Sequence, residues 1–298
     1  MVRSYNQLND IDKENIVEYY YNNKDINIDN IALNLNISIR GVKRVLKDKS
    51  INTRRKNRYT LNENYFDNID TQEKAYILGF IYADGFVGDE KYNNIVISIN
   101  DLQLLQEFAK ELEFTGDIRK TKKGGFENSK CGYCINFSSQ VIASRLRDLG
   151  LCPNKSLIMT SIPKINSKLI RHFIRGYFDG DGSIILSHNT SYYKNKDKII
   201  KYKYPTYMFD ILGTKPFLEE IKIVTGFRYV KILDTKTEQI KCLRISAKEE
   251  FENIFDYLYK NSTIKLERKY NKWNVIKSAF VVGATKQIGL IAGNTLEP

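Results

Sequence analysis

Two nine-residue segments of this 298-residue chain are near copies of one another. Residues 77–85 read Ile-Leu-Gly-Phe-Ile-Tyr-Ala-Asp-Gly, and residues 174–182 read Ile-Arg-Gly-Tyr-Phe-Asp-Gly-Asp-Gly. Four of the nine positions are identical, Ile77/Ile174, Gly79/Gly176, Asp84/Asp181 and Gly85/Gly182, and Phe80/Tyr177, Ile81/Phe178 and Ala83/Gly180 are similar. A duplication of this kind restricts the chain to folds built from two like units. The stretches of chain beyond the two copies match as well. After the first, the patterns predict a strand over 94–100, a helix over 102–112, strands near 118 and over 133–138, and a helix over 141–149. After the second they predict strands over 183–187 and 204–212, a helix over 216–224, strands over 229–233 and 241–246, and a helix over 248–259. The alternation Asn94-Ile95-Val96-Ile97-Ser98-Ile99-Asn100 is that of a strand with one face buried. Each copy therefore reads as αββαββα, and the fold class as α+β.

Gly79 and Ala83 lie four residues apart on one helix face, as do Gly176 and Gly180. Small residues at that spacing let two backbones approach, so the two motif helices are expected to pack on each other. Gly85 and Gly182 are expected to end them in the left-handed conformation that glycine tolerates. Asp84 and Asp181 then project from adjacent helix tips. Two carboxylates at helix C-termini repel each other and the helix dipole. A hard cation would relieve that cost, and Mg²⁺ suits oxygen ligands with waters retained. A lone Asp-Gly would read as a turn after a core helix, but two copies in matched contexts favour the cation site.

Residues 1–58 differ from the rest. Patterns predict helices over 11–21, 28–35 and 39–46, with Asp29 capping the second and Ser38 the third. A small Ala32, a turn at Asn36 and an inward Val42 look like a helix-turn-helix, whose third helix would enter a major groove. Its polar face carries Arg40, Lys43, Arg44 and Lys47, and Arg54 and Arg55 follow in a basic linker. From 40 to 58 there are nine basic residues and one acid, a density suited to phosphate neutralisation. A solvated basic face on a packing module is the plainer reading. A short helix is expected over 61–69.

The whole chain has 47 Lys and Arg against 35 Asp and Glu, a net charge of +12, which marks a polyanion partner. Nucleic acid comes first and an anionic membrane surface second. No stretch approaches the roughly 18 apolar residues of a spanning helix, and Asp10, Asp12 and Glu14 argue against a leader peptide. The expectation is an intracellular protein of the cytoplasm or nucleoid, or of an organelle, with no membrane association. The four cysteines are too few for a disulfide scaffold. Cys131-Gly-Tyr-Cys134 has zinc-like spacing but no second pair, with only His172 and His188 to complete a site, and reads as two thiols near a strand start.

The paired nonapeptides resemble the LAGLIDADG signature of homing endonucleases, also called the dodecapeptide or DOD type. The resemblance spans about residues 70–270 and extends to Ala75-Tyr76, Asn154-Lys155-Ser156 and Leu266-Glu267-Arg268-Lys269-Tyr270. It implies a single-chain, monomeric protein with two pseudo-symmetric αββαββα repeats, whose two antiparallel sheets form a DNA-binding saddle. It implies double-strand cleavage of DNA at a long site, dependent on Mg²⁺ or another divalent cation. The metal-binding acid falls on the eighth motif position, hence Asp84 and Asp181. A lysine near the last strand of a repeat serves the reaction in that family, which points to Lys248, with Gln140 at the matching place and unequal strand cutting as the consequence. Tyr82 stands where the family has a sixth-position acid, and Asp179 keeps it.

The strands would then track a DNA groove. Lys194, Lys196, Lys198, Lys201 and Lys203, interleaved with tyrosines over 192–207, suit a ribbon in the major groove. Arg119, Lys120 and Lys122 are the first-repeat counterpart. A lysine-rich hairpin kept soluble is the plainer reading. The expected division is 1–58, 59–165, 166–272 and a tail over 273–298. Other readings are an RNA-binding maturase that assists intron splicing and a regulator that binds DNA without cutting, against which the two intact aspartates argue. An intein would need a Cys or Ser at its start and a His-Asn end, which Met1 and Pro298 do not supply.

Overall fold

The computed structural model describes residues 2–23, 27–51, 59–121, 131–195 and 198–278. The chain divides into two compact units, 1–58 and 59–298.

The first unit is helical. α1 (Asp10–Asn22), α2 (Ile28–Asn34) and α3 (Ile39–Asp48) close on a core that includes Ile16, Ile31, Ala32, Val42, Val45 and Leu46. Asn9 accepts from the Asp12 amide at the start of α1, and Asp10 and Asp12 complement its dipole. The cap of α2 is Asn27, which accepts from the Asp29 amide, rather than Asp29 itself. Asp29 stands in the first turn, where its charge meets the dipole directly. Asn36 takes a left-handed φ of 53° between α2 and α3, and Ser38 caps α3 by accepting from Gly41.

In the second unit each repeat has the same element order. The first runs α4 (Gln72–Asp84), β1 (Gly85–Val87), β2 (Asn94–Ile99), α5 (Leu102–Glu111), β3 (Arg119–Lys120), β4 (Tyr133–Ser138) and α6 (Gln140–Asp148), followed by a short α7 (Lys155–Ile158). The second runs α8 (Ser167–Asp181), β5 (Gly182–Asn195), β6 (Lys198–Gly213), α9 (Lys215–Thr225), β7 (Lys231–Asp234), β8 (Lys241–Ile245) and α10 (Lys248–Tyr259), and a final helix α11 covers 267–278. Both sheets are antiparallel, with orders β1-β2-β4-β3 and β5-β6-β8-β7. The fold is α+β, with two αββαββα repeats of identical topology.

Three expectations are corrected. Residues 61–69 form turns, not a helix, pinned where Tyr65 and Phe66 bury their rings. β5 and β6 run 14 and 16 residues, well past their expected ends, because the ladder continues unbroken from Gly182↔Ile211 to Asn195↔Lys198. On the hairpin side of Tyr207 the described side chains are not buried and lose the alternation that marks a strand in sequence. Finally, the chain after 272 is not all tail: Trp273 and Ile276 of α11 are buried in the same core that holds both repeats. The two repeats are halves of one core, not separate domains.

Candidate active site at the paired helix ends

α4 is buried on every side from Ala75 to Ala83, as a helix at the centre of a unit must be. Its neighbour is α8, and the contact is reciprocal. A Cβ on Gly79 would lie 2.0 Å from the Phe173 carbonyl oxygen, and a Cβ on Gly176 would lie 2.0 Å from that of Tyr76. Each glycine thus seats the other helix's backbone, which is the geometry of a two-fold axis between the helices. Further along, a Cβ on Gly180 would be 2.3 Å from the Cβ of Ala83. Gly85 and Gly182 do not take the expected left-handed conformation. Their backbones are extended (φ −80°, ψ 157° and φ −88°, ψ 164°). Space demands glycine there: a Cβ would lie 2.7 Å from the Ile81 Cα in one case and 2.1 Å from the Phe178 ring in the other.

This packing brings together Asp84 and Asp181, the last residues of α4 and α8. An Asp84 carboxylate oxygen lies 3.4 Å from where a Gly180 Cβ would stand, over the last turn of the opposite helix. Burial raises the pKa of both carboxyls. Asp181 is pushed up to about 6, by burial first and then by the Asp84 charge. Lys155 and Lys269 oppose the shift at both carboxyls, and Arg268 does so at Asp84.

Those lysines were not singled out for this role by sequence reasoning. Lys155 and Lys269 are buried, and each reaches the carbonyl of the glycine after a motif helix, Gly85 and Gly182 respectively. Lys269 also donates to the carbonyls of Phe178 (2.6 Å), Asp179 (2.8 Å) and Gly180 (3.3 Å). A cation at a helix C-terminus satisfies orphan carbonyls and meets the negative end of the dipole. Burial lowers the pKa of both ammonium groups, to about 8 for Lys269. The only sequence signal was the matched dipeptides Asn154-Lys155 and Arg268-Lys269, which resemble a family but carry no task of their own in the sequence.

Lys248 and Gln140 occupy the matched first positions of α10 and α6. Lys155 and Lys269 act on both carboxylates, and Arg268 on Asp84. The reaction lysine expected at the strand end, Lys248, stands apart from a second pair, Lys155 and Lys269, which lie in the segment after each repeat and reach the exposed carbonyls that follow α4 and α8.

The sixth motif positions have structural work. Asp179 is fully buried and accepts from Tyr76 Oη (2.7 Å), Tyr259 Oη (2.7 Å) and the Leu266 amide (2.8 Å), fixing the segment that carries Lys269. Tyr82 donates to the Leu149 carbonyl, fixing the segment that carries Lys155.

The basic residues fall in different places. Arg40, Lys43 and Arg44 are exposed on α3, with the Arg44 guanidinium 4.2 Å from the Tyr5 ring centre. Arg119 and Lys120 are exposed on β3, and Lys194, Lys201 and Lys203 on the β5–β6 hairpin. Register assigns their faces. Lys201 pairs with Tyr192 and Lys203 with Thr190, continuing the face on which Ile184 and Phe209 cover the core. Lys120 shares its face with Tyr133, and Arg119 pairs with Cys134 on the outward one. The outward face of the second sheet carries Asp210, held by Arg244 through two bonds of 2.8 and 2.6 Å. Arg54, Arg55, Lys122 and Lys196, and the side chain of Lys198, lie outside the described residues. Cys131 is exposed and Cys134 sits on β4; among the described residues no three or more His, Cys, Asp or Glu side chains cluster as a metal site.

No protein-family model matches the chain. An uncharacterized protein of Methanocaldococcus jannaschii is 26% identical over 160 residues, 51% of this chain and 57% of that protein, so the match spans under two thirds of its relative. Solved structures similar to this chain include the I-LtrWI LAGLIDADG homing endonuclease bound to target DNA (15% identity, 74% of this chain and 92% of that one, TM-score 0.47). The I-SmaMI LAGLIDADG homing endonuclease bound to cleaved DNA is 15% identical over 74% of this chain and 92% of that one, with a TM-score of 0.43. LAGLIDADG meganuclease I-CpaMI bound to uncleaved DNA is 13% identical over 71% and 92%, with a TM-score of 0.45. No helix among the described residues is long and apolar enough to cross a membrane.

Proposed function

We propose that this protein is a site-specific DNA endonuclease of the LAGLIDADG homing type, which hydrolyses one phosphodiester in each strand of a duplex. The observation that carries the reading is the pair Asp84 and Asp181, two partly desolvated carboxylates that repel each other and are held at matched helix ends by glycines that admit no side chain. Such an arrangement costs stability and returns nothing to the fold, which is the signature of a functional site.

The donor set fits a hard divalent cation. Asp84 and Asp181 offer carboxylate oxygens, and no third acidic, His or Cys ligand joins them among the described residues, so water and phosphate oxygens would complete the shell, as Mg²⁺ prefers. A cation held there supplies positive charge that acidifies water and offsets charge on the leaving oxygen. The chain does the rest. Lys155 and Lys269 hold the helix ends in place and keep the two carboxylates ionised against their mutual repulsion. The sheets present strand faces on either side of the helix pair. In the reaction a water oxygen adds to phosphorus and the bond to one sugar oxygen breaks. That oxygen gains a proton, leaving a phosphate monoester and a hydroxyl. Both halves of the site come from one chain, so the working form is a monomer. In the first unit, α2, the Asn36 turn and α3 act as a helix-turn-helix that adds DNA contacts through Arg40, Lys43 and Arg44.

The test is incubation with a randomised plasmid library, with Mg²⁺ or with EDTA, followed by sequencing of the ends. Metal-dependent breaks at one long motif are expected, lost in Asp84→Asn and in Asp181→Asn while both variants still bind the site. Selective DNA binding without breaks would instead indicate a regulator, and binding of a structured intron RNA alone a maturase.

A further inference from the structure

The dipeptides that place the two buried lysines are not equivalent in their first residue. Lys155 and Lys269 do the same thing, each reaching the carbonyl of the glycine that follows a motif helix. The residue before Lys269 is Arg268, which is exposed, whereas the residue before Lys155 is Asn154, in a left-handed turn with φ 60°. Arg268 lines an open cleft together with Asp84, Ser98, Asn100, Thr121 and Gly132. The wall of that cleft is polar and internally hydrogen-bonded. Thr121 and Gly132 exchange hydrogen bonds of 2.9 and 3.0 Å, and the Asn100 side-chain oxygen lies 2.8 Å from where a Gly132 Cβ would stand. Arg268 makes no ion pair with an acidic side chain among the described residues. The segment after the second repeat thus delivers a guanidinium into the cleft of the first sheet, beside the first aspartate.

We propose that Arg268 seats a backbone phosphate of the DNA strand that enters the Asp84 cleft, and that Asn154, its uncharged counterpart, makes the two halves of the site unequal. A guanidinium matches a phosphate with two parallel donors and keeps its charge at any working pH. An amide in a left-handed turn offers neither. The strand beside Asp84 is therefore cut first, and the duplex passes through a nicked intermediate. This rests on the endonuclease reading above.

The experiment uses the full-length protein and a supercoiled plasmid carrying one copy of the site recovered from the library, with each strand end-labelled in a matching linear duplex. Wild type with Mg²⁺ is expected to accumulate nicked circles with the nick predominantly in one strand. Arg268→Gln is expected to slow that strand by about ten- to a hundred-fold and to leave the other within about three-fold. Arg268→Lys recovers part of the rate, and Asn154→Arg accelerates the slower strand and depletes the nicked circles. Arg268 is exposed, so an unchanged melting temperature is expected and checks that the variant folds. Equal slowing of both strands by Arg268→Gln, or equal strand rates in wild type, overturns this inference and leaves the endonuclease reading intact. Absence of any cut by wild type overturns both.

Discussion

Asp181 bears the larger electrostatic load of the two motif carboxylates, and its consequences can be measured without DNA. Its pKa rises from the ordinary 3.8 to about 6 in the folded protein. The folded state then binds the proton more tightly than the unfolded one, so this group's contribution to stability is greatest below about pH 4 and falls as pH climbs towards 6. Asp181→Asn removes the effect. In EDTA at pH 7.5 the variant is expected to be more stable than wild type by about 1 kcal/mol, after discounting for solvent screening. Its advantage should vanish at pH 4, and thermal unfolding at the two pH values checks both statements. A variant less stable than wild type at pH 7.5 would mean that the carboxylate is a structural anchor. Lys269 has the opposite character. It lies within hydrogen-bond reach of four carbonyls at the end of α8, which share its three N–H donors, where Lys155 reaches one at the end of α4. Lys269→Met is expected to cost about 2–4 kcal/mol in urea unfolding, and Lys155→Met measurably less.

Between elements, the contact of α4 with α8 depends on the absence of side chains at two points. Gly79→Ala or Gly176→Ala would place a methyl 2.0 Å from a backbone carbonyl oxygen, and neither helix can retreat without opening the core on both sides. Each change is expected to cost more than about 4 kcal/mol and to leave little folded protein, as read by near-UV circular dichroism. Gly180 is a gentler case, because what it meets is the Ala83 methyl. Gly180→Ala alone is expected to destabilise, and Ala83→Gly in the same chain to restore most of the loss. A double-mutant cycle should return a coupling of about 1–3 kcal/mol; strict additivity would show that the two positions do not touch. The long β5–β6 hairpin is governed differently. Its distal part is held by backbone pairing, with Tyr192, Tyr193 and Ile199 exposed, so substitutions there should change DNA affinity more than stability.

For the molecule as a whole, a net charge of +12 makes salt the first variable in any binding assay. The affinity for a duplex is expected to fall linearly on a log–log plot against salt. Arg40→Ala with Lys43→Ala should reduce the steepness by about one unit for each phosphate that is no longer neutralised. If the slope stays unchanged, α3 does not meet DNA, and the first unit has another task. Its own core, closed around Ile16, Ile31, Val42 and Leu46, gives it a stability that these surface changes leave alone.

The residues read in order disclosed whatever repeats at short range. The duplicated nonapeptide located both motif helices and both aspartates, and alternation or helical spacing placed most of the other elements to within a few residues. Local pattern is enough for these because burial of a helix or strand face is written in neighbouring positions. It failed where the cause is distant. The lysines that serve the helix ends lie 70 and 87 residues from the glycine carbonyls they reach, and the short segments around Lys155 and Lys269 resemble a family without showing which atoms those lysines meet. Gly85 and Gly182 were legible as helix-ending glycines, yet only packing against Ile81 and Phe178 showed that they are required for space and not for a left-handed turn. Among its described side chains, the hairpin on the far side of Tyr207 carries no burial pattern to read, because none of them is buried in the core. The place of Arg268 was decided in three dimensions as well, since the cleft beside Asp84 receives it from the segment after the other repeat. Sequence periodicity specifies elements, and only the fold decides which charges those elements bring within reach of one another.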